Sequence, residues 1–219
     1  MSHLGLLLLV SSLGGCASAT VVDLARNRYF YVSPEFQAAR RTAQAVYVTR
    51  LLDRRTIPET EAGTTYKEIF SDNIWDRPVP AMIEDVLREE IDRSGIYNGM
   101  VTGTAGIPDP GEIVVEPTLL TMYRMREAFA EPGLVGLRRT VAHTSIHIRV
   151  RGPAAAKGIR PVLMDETIES EVATEPSLAR PGLGVVLSGQ ALHNVMAQTM
   201  MKLYESNIVS SGGGSSDRR

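Results

Sequence analysis

Residues 140–150, TVAHTSIHIRV, decide the fold, because apolar and polar side chains alternate along them with a period of two. One face of the predicted strand carries Thr144, Ile146, Ile148 and Val150, and the other carries His143, Ser145, His147 and Arg149. A strand with one apolar and one polar face is typical of an antiparallel sheet that packs on a core and meets water on its other side.

The segments on either side of this strand predict two partner strands. After a turn at residues 152–161, residues 162–172 alternate again. Their inward positions are Val162, Met164, Ile168 and Val172, and their outward positions are Asp165, Thr167, Glu169 and Glu171. Residues 112–126 form a long β-like run, in which Pro117 indicates an edge position, a bulge or a late start. Three successive strands of this kind predict an antiparallel β-meander.

Two helices are predicted on the apolar face of the meander. The first begins near Pro80 and ends before Gly95, which is expected to cap it. The second runs from Val185 to about Asn207. The buried stripes are Ile83, Val86, Leu87 and Ile91 in the first helix, and Leu192, Val195, Met196, Thr199 and Leu203 in the second. With shorter strands at residues 45–52 and 65–70, this predicts an α+β fold in the order β-β-α-β-β-β-α.

The beginning of the chain predicts export and a lipid anchor. Residues 1–15 carry no Lys, Arg, Asp or Glu, and their apolar run is shorter than the roughly 20 residues that span a bilayer. Leu13-Gly14-Gly15-Cys16 resembles the lipobox of bacterial lipoproteins. The resemblance implies cleavage between Gly15 and Cys16 and acylation of Cys16 with fatty acids such as palmitate. By the sorting rule of such lipoproteins, Ala17 favours the periplasmic face of the outer membrane.

The composition behind this anchor is that of one globular domain. Of the 219 residues, 43% are apolar and 22% are charged, and the net charge of −2 gives no reason to expect a nucleic acid partner. We divide the chain into a signal peptide at 1–15, a lipidated tether and lead-in segment at 16–44, a single α+β domain at 45–209 and a flexible tail at 210–219. The aromatic residues 29–32 of the lead-in segment favour core packing or a short edge strand.

No constellation of residues predicts catalysis, a metal ion or a cofactor other than the covalent lipid on Cys16. His143 and His147 would lie about 13 Å apart along a strand that rises about 3.3 Å per residue, so they cannot share one metal ion without a bend in the strand. His193 has no helical histidine partner, and the turn at 182–184 lacks the Lys and Ser/Thr of a phosphate-binding loop. The remaining candidates have structural explanations. Ser188 is assigned to local structure at a helix start, and the acids Glu166, Glu169 and Glu171 to a solvated strand face. Core packing is assigned to Met196, Met200 and Met201. A soft apolar groove is the alternative for the methionines.

Two short segments carry a resemblance to a known family. Residues 52–57, LDRRTI, and residues 75–78, WDRP, precede the first helix, and the lipobox, meander and long final helix frame them. The chain resembles the ABC-type transport auxiliary lipoproteins, the PqiC-like group. The resemblance implies a non-enzymatic accessory on the outer membrane that works with an Mce-domain lipid-transport system. It marks Asp53, Arg54 and Trp75 as candidate partner-facing residues, with turn formation and core packing as their structural alternatives.

A second function from another class stays open. Other small outer-membrane lipoproteins share a strand–loop–helix start and a β-meander. They include YajG-like proteins and subunits of lipopolysaccharide-export, secretion or flagellar machines. On this hypothesis the protein is a structural assembly factor that handles no lipid, and self-association into a homo-oligomer is open in both hypotheses.

Overall fold

In the described part of the chain, three strands precede the first helix and four strands separate it from the second. The computed structural model describes residues 23, 25–27, 30–56, 66–70, 75–101, 107–128, 136–155, 158–177 and 182–212. The strands are β1 (Val46–Val48), β2 (Leu52–Asp53), β3 (Tyr66–Phe70), β4 (Met100–Val101), β5 (Ile113–Ala128), β6 (Arg138–Arg151) and β7 (Val162–Ala173). The helices are α1 (Val79–Ser94) and α2 (Leu183–Gly212).

The predicted meander, β5-β6-β7, forms one side of the sheet. β6 pairs antiparallel with β5 on one side and with β7 on the other, so that Ile146 lies between Leu119 and Ile168. The inward-facing Ile146, Ile148 and Val150 are fully buried, as their alternation predicts. The α+β fold predicted from residues 140–150 is confirmed.

The sheet is mixed rather than a pure meander. Its order is β4-β1-β5-β6-β7, and β2 and β3 also pair with β5. β1 runs parallel to both β4 and β5, and β2 runs parallel to β5. The sequence missed β4, because two residues after a loop carry no period that can be recognised. Relative to the predicted order, this short strand is added before β5, and a second is added where the strand predicted at 45–52 is divided.

The single strand predicted at 45–52 is in fact two strands. β1 and β2 are separated by residues 49–51, and Pro117 of β5 lies opposite this gap. Alternate residues of β5 bond to this edge, since Ile113 N donates to Ala45 O and Val115 O accepts from Thr49 N. Pro117 is the next in that series and has no N–H to offer. The chain turns inward there instead, and Leu51 N donates to the Glu84 carboxylate of α1 at 2.9 Å.

Both helices contribute to one hydrophobic core with the inner face of the sheet. The residues of both predicted stripes are buried: Ile83, Val86, Leu87 and Ile91 in α1, and Leu192, Val195, Met196, Thr199 and Leu203 in α2. α1 ends at Gly95 in the left-handed region, with φ of 65°, where a side chain would be strained. α2 is longer than predicted, and Met201 is exposed whereas Met196 and Met200 are buried.

Residues 30–44, which we call the strap, run along the last turns of α1 in the direction of the helix. Tyr31 is fully buried in the core, and Phe36 and Ala38 pack against it. At the far end, Ala38 N donates to Ser94 O and Thr42 N donates to Ile96 O, just past the end of α1. The strand considered for 29–32 is not formed at residues 30–32, because this segment packs on the helices instead of on a sheet edge.

The lipobox, Leu13 to Cys16, lies outside the described residues. Among the residues that are described, no helix combines the length and the hydropathy that a membrane crossing requires. The domain boundaries stay predictions, although the strap already contributes side chains to the core.

Candidate functional site

The two sequence segments that precede α1 line one groove. Residues 53–55 continue from β2, and residues 75–80 lead into α1, more than 20 positions later. Together they enclose about 440 Å³ of space between Asp53 and Arg55 on one wall and Trp75, Arg77 and the start of α1 on the other. We call this the 53–80 groove.

The first wall is a strongly paired charge cluster. Arg55 donates from Nε to Asp53 Oδ1 at 2.9 Å and from Nη2 to Oδ2 at 3.0 Å, which is the bidentate geometry that favours arginine. The backbone N–H of Arg55 also donates to Asp53 Oδ1. These hydrogen bonds hold the pKa of Asp53 below its usual range, so it is a carboxylate at neutral pH. The turn after β2 is therefore held rigid by its own side chains.

The opposite wall is held by Arg77. Its Nε donates to Asp23 Oδ2 and its Nη1 donates to Asp85 Oδ2, both at 2.6 Å. The hydrogen bond to Asp23 raises the pKa of Arg77, and the second carboxylate adds to the effect. Asp23 is 5% exposed, so Arg77 joins the beginning of the described chain to α1. This pair fixes where the tether meets the body.

The three residues predicted to face a partner have different surroundings. Arg54 is exposed, and its side chain makes no hydrogen bond or ion pair with any described residue. Asp53 is on the surface but is committed to Arg55. Trp75 is half-buried and packs against the core from the edge of the groove. Of these three side chains, Arg54 is the one most available to a partner.

The histidines make local contacts and do not converge. His143 Nδ1 is 2.8 Å from Thr121 Oγ1, and its ring stacks on Tyr123 with centroids 5.3 Å apart. His147 Nε2 is 2.9 Å from Asp165 Oδ1. His193 Nδ1 is 2.8 Å from Val32 O, which holds the strap against α2. Within the described ranges, no group of three or more potential ligands is arranged to hold a metal ion.

The remaining sequence candidates also have structural partners. Ser188 is buried and donates back to Gly184 O at 2.9 Å, a bond common in helices, so the hydroxyl is not aimed at a cleft. Glu166 pairs with Lys202 of α2 at 3.0 Å. Gly184 begins α2 under the Arg124 side chain, which a Cβ would meet at 2.7 Å. Arg124 is largely desolvated, and this burial lowers its pKa.

A buried acid in the middle of the α1 stripe was missed by the sequence analysis. Glu90 is 2% exposed, and its carboxylate accepts from Tyr31 Oη at 3.0 Å and from Ser33 Oγ at 2.7 Å. Arg93 Nη1 completes its surroundings at 3.3 Å. Glu90 falls on the apolar stripe of α1, seven positions after Ile83, and a charged residue on such a stripe is a signal that a polar partner covers it.

Comparison with known proteins assigns no family. No family model and no curated protein matches the chain. A Xanthomonas campestris protein of family DUF330 is 12% identical, with 78% of this chain and 90% of that chain covered and a TM-score of 0.48. A minor lipoprotein from Acinetobacter baumannii is 9% identical, with coverages of 76% and 94% and a TM-score of 0.42. A putative neuraminyllactose-binding hemagglutinin homolog from Helicobacter pylori is 10% identical, with coverages of 82% and 95% and a TM-score of 0.47. Likeness at this level assigns no function to the chain.

Proposed function

We propose that this chain is a lipoprotein of the outer membrane that serves, without catalysis, as an accessory of an Mce-domain, ABC-type lipid transport system. The observation that carries the proposal is the 53–80 groove. The two segments that resemble the auxiliary lipoproteins are separate in sequence, yet Asp53 and Arg55 of the first and Trp75, Arg77 and Pro78 of the second line the same groove. A shared surface is what a docking role requires of two such segments.

The chemistry of the groove fits docking better than a reaction. Its two arginines, Arg55 and Arg77, are already paired with carboxylates of the chain. They stabilise the shape of the surface, and Arg54 beside them is left for a partner. Arginine and tryptophan are enriched at protein interfaces because they combine a large contact area with hydrogen bonding.

The tether supports a position close to a membrane. Asp23, which Arg77 holds, follows Cys16 by seven positions. Seven residues span at most about 25 Å in any conformation. With Cys16 acylated, Asp23 lies within about 25 Å of the lipid surface. The groove is farther away only by the short distance across the Asp23–Arg77 pair. The far end of a partner that crosses the periplasm would arrive in this region.

The test is site-specific crosslinking of the full-length protein in intact cells. A photoreactive residue replaces Arg54, the exposed residue between the groove-lining Asp53 and Arg55, or, as the control, Ile159, which is 67% exposed on the turn between β6 and β7. We expect an adduct with an Mce-domain protein from position 54 and little or none from position 159. Adducts with secretion, pilus or flagellar components would support the assembly hypothesis instead. Absence of any Mce-domain adduct at position 54 would overturn the transport role.

The anchor needs its own test. Cys16→Ser removes the acylated sulfur, and we expect the protein to leave the membrane fraction. Retention at wild-type levels would contradict the lipobox prediction without bearing on the groove.

A further inference from the structure

A second and larger cavity lies at the other end of α1. It measures about 620 Å³ and opens between the strap at residues 40–44, the last described turns of α2 and the β6–β7 turn. Its apolar walls are Ile113, Pro153, Pro161, Leu163, Tyr204 and Ile208. This volume is in the range of small-molecule sites, which are mostly apolar with a few polar groups that orient the ligand.

The rim of this distal cavity is cationic. Arg40 and Arg41 are consecutive and exposed, and neither makes a hydrogen bond or ion pair with any residue that the structure describes. No Asp or Glu is among the residues lining the cavity. Most other described arginines form ion pairs with carboxylates, as Arg55, Arg77 and Arg151 do. Two adjacent uncommitted guanidinium groups are suited to a phosphate, which arginine binds through parallel N–H donors.

The combination of rim and walls restricts the ligand. A free phosphate would contact the arginines of the rim and leave the apolar walls exposed to water. A neutral apolar molecule would cover the walls and leave both guanidinium groups without a counter-charge. A molecule with an anionic head and an apolar tail satisfies both. We propose that the distal cavity binds one anionic phospholipid, with its phosphate at Arg40 and Arg41 and an acyl chain against the walls. This deepens the proposed transport function and rests on it for the source of the lipid, a bacterial membrane.

The position of the cavity suits a site that faces away from the anchor. The chain meets the body at Asp23, beside the start of α1, and reaches the cavity at residues 40–44, beyond the end of α1. α1 has 16 residues and is therefore about 24 Å long. The lipid site and the 53–80 groove are thus about one helix length apart, so a partner and a lipid can be bound together.

The experiment detects the lipid directly on the full-length, acylated protein in cells. A photoreactive residue replaces Leu163, in the cavity wall, or Ile107, which is 93% exposed and serves as the control. Cells are grown with radiolabelled phosphate, and adducts are analysed by mass spectrometry after irradiation. We expect position 163 to give an adduct that carries both the phosphate label and acyl chains, well above the adduct from position 107.

The charge requirement is tested in the same cells. Arg40→Glu with Arg41→Glu should lower the adduct at position 163 about tenfold or more, because both contacts to the phosphate become repulsive. The matched control reverses two exposed arginines away from the cavity, Arg50→Glu with Arg138→Glu, and should leave the adduct unchanged. All four arginine positions are at the surface, and protease resistance of each variant checks that the fold is retained.

Any other result at position 163 overturns the inference. An adduct with acyl chains but no phosphate label would identify a fatty acid, and a protein adduct would identify a protein interface. No excess over position 107, or an adduct that is insensitive to reversal of Arg40 and Arg41, would refute a site for an anionic lipid. A lipid adduct at position 163 without an Mce-domain adduct at position 54 would retain the lipid site and reject the transport partner.

Discussion

Substitution of Gly189 would test whether the strap packs against α2 in solution. It lies inside α2, where alanine would ordinarily stabilise the helix by about 1 kcal/mol. A Cβ at this position would lie 1.8 Å from Phe30 O and 2.7 Å from Phe30 C, both of which are backbone atoms. The contact would have to open by about 1.6 Å to reach the 3.4 Å at which ordinary contact begins. Since a backbone carbonyl cannot rotate away, the strap must lift from the helix.

The expected cost follows from this displacement. Overpacking of a closely fitted site costs about 1–3 kcal/mol. Lifting Phe30 also withdraws the neighbouring Tyr31, which is fully buried, and full burial of an apolar side chain is worth about 1.5–3 kcal/mol. After subtraction of about 1 kcal/mol for the helix propensity gain, we expect Gly189→Ala to destabilise the protein by about 1.5–5 kcal/mol.

The assay is urea unfolding of the purified protein, together with limited proteolysis of the strap. Gly99→Ala is the matched control, because a Cβ there meets nothing within 4 Å, and its stability should stay within about 0.5 kcal/mol of the wild type. Faster cleavage within residues 30–44 should accompany the loss of stability in Gly189→Ala. The sign of the change decides the question: stabilisation by about 1 kcal/mol, as helix propensity alone predicts, would refute the seated strap.

Three further predictions concern other contacts. Tyr31→Phe and Glu90→Gln should each destabilise the protein by about 1–3 kcal/mol, and a double-mutant cycle should give a coupling above about 0.5 kcal/mol; additive effects would mean that their hydrogen bond is not formed. The hydrogen bond from Arg149 holds the pKa of Asp165 below its usual range, so this pairing stabilises β6–β7 above about pH 4 and is lost as the pH falls through the lowered pKa. Arg149→Gln should raise that pKa in an NMR titration, and an unchanged value would contradict the assignment. Arg160 donates to the carbonyls of Pro108, Asp109, Glu112 and Gly152. Arg160→Lys should therefore lower the free energy of unfolding in urea by about 1–3 kcal/mol. A change within about 0.5 kcal/mol would show that these bonds contribute little.

The parts of the fold that could be predicted have a local cause. The alternation at 140–150 specifies one buried face whatever the strand pairs with, and the 3.6-residue stripes of α1 and α2 do the same for the helices. Gly95 marks the end of α1 because the backbone there adopts the left-handed conformation, which glycine takes up without strain. These features depend on neighbours a few positions away.

The parts that could not be predicted depend on distant partners. The break between β1 and β2 is caused by Pro117, more than 60 positions later, and a strand pattern alone does not indicate which neighbour it meets. The burial of Glu90 depends on Tyr31, 59 positions earlier. In the candidate site, Asp53, Arg54 and Trp75 could be named from the resemblance. The meeting of Asp53 and Trp75 in one groove, and the distal cavity, emerge only when the chain is folded.

The direction in which the strap runs determines how the body would respond to a mechanical load on its tether. A pull from the side of Cys16 reaches the Asp23–Arg77 pair first, then the contact of Phe30 with Gly189, and only afterwards the backbone bonds at the end of α1. Contacts loaded one after another peel at lower force than contacts loaded together. Residues 23–42 would then release about 65 Å of extended chain before any strand of the sheet is strained. With Cys16 acylated and a partner bound, as proposed, this released stretch would let the partner move relative to the membrane while the sheet stays folded.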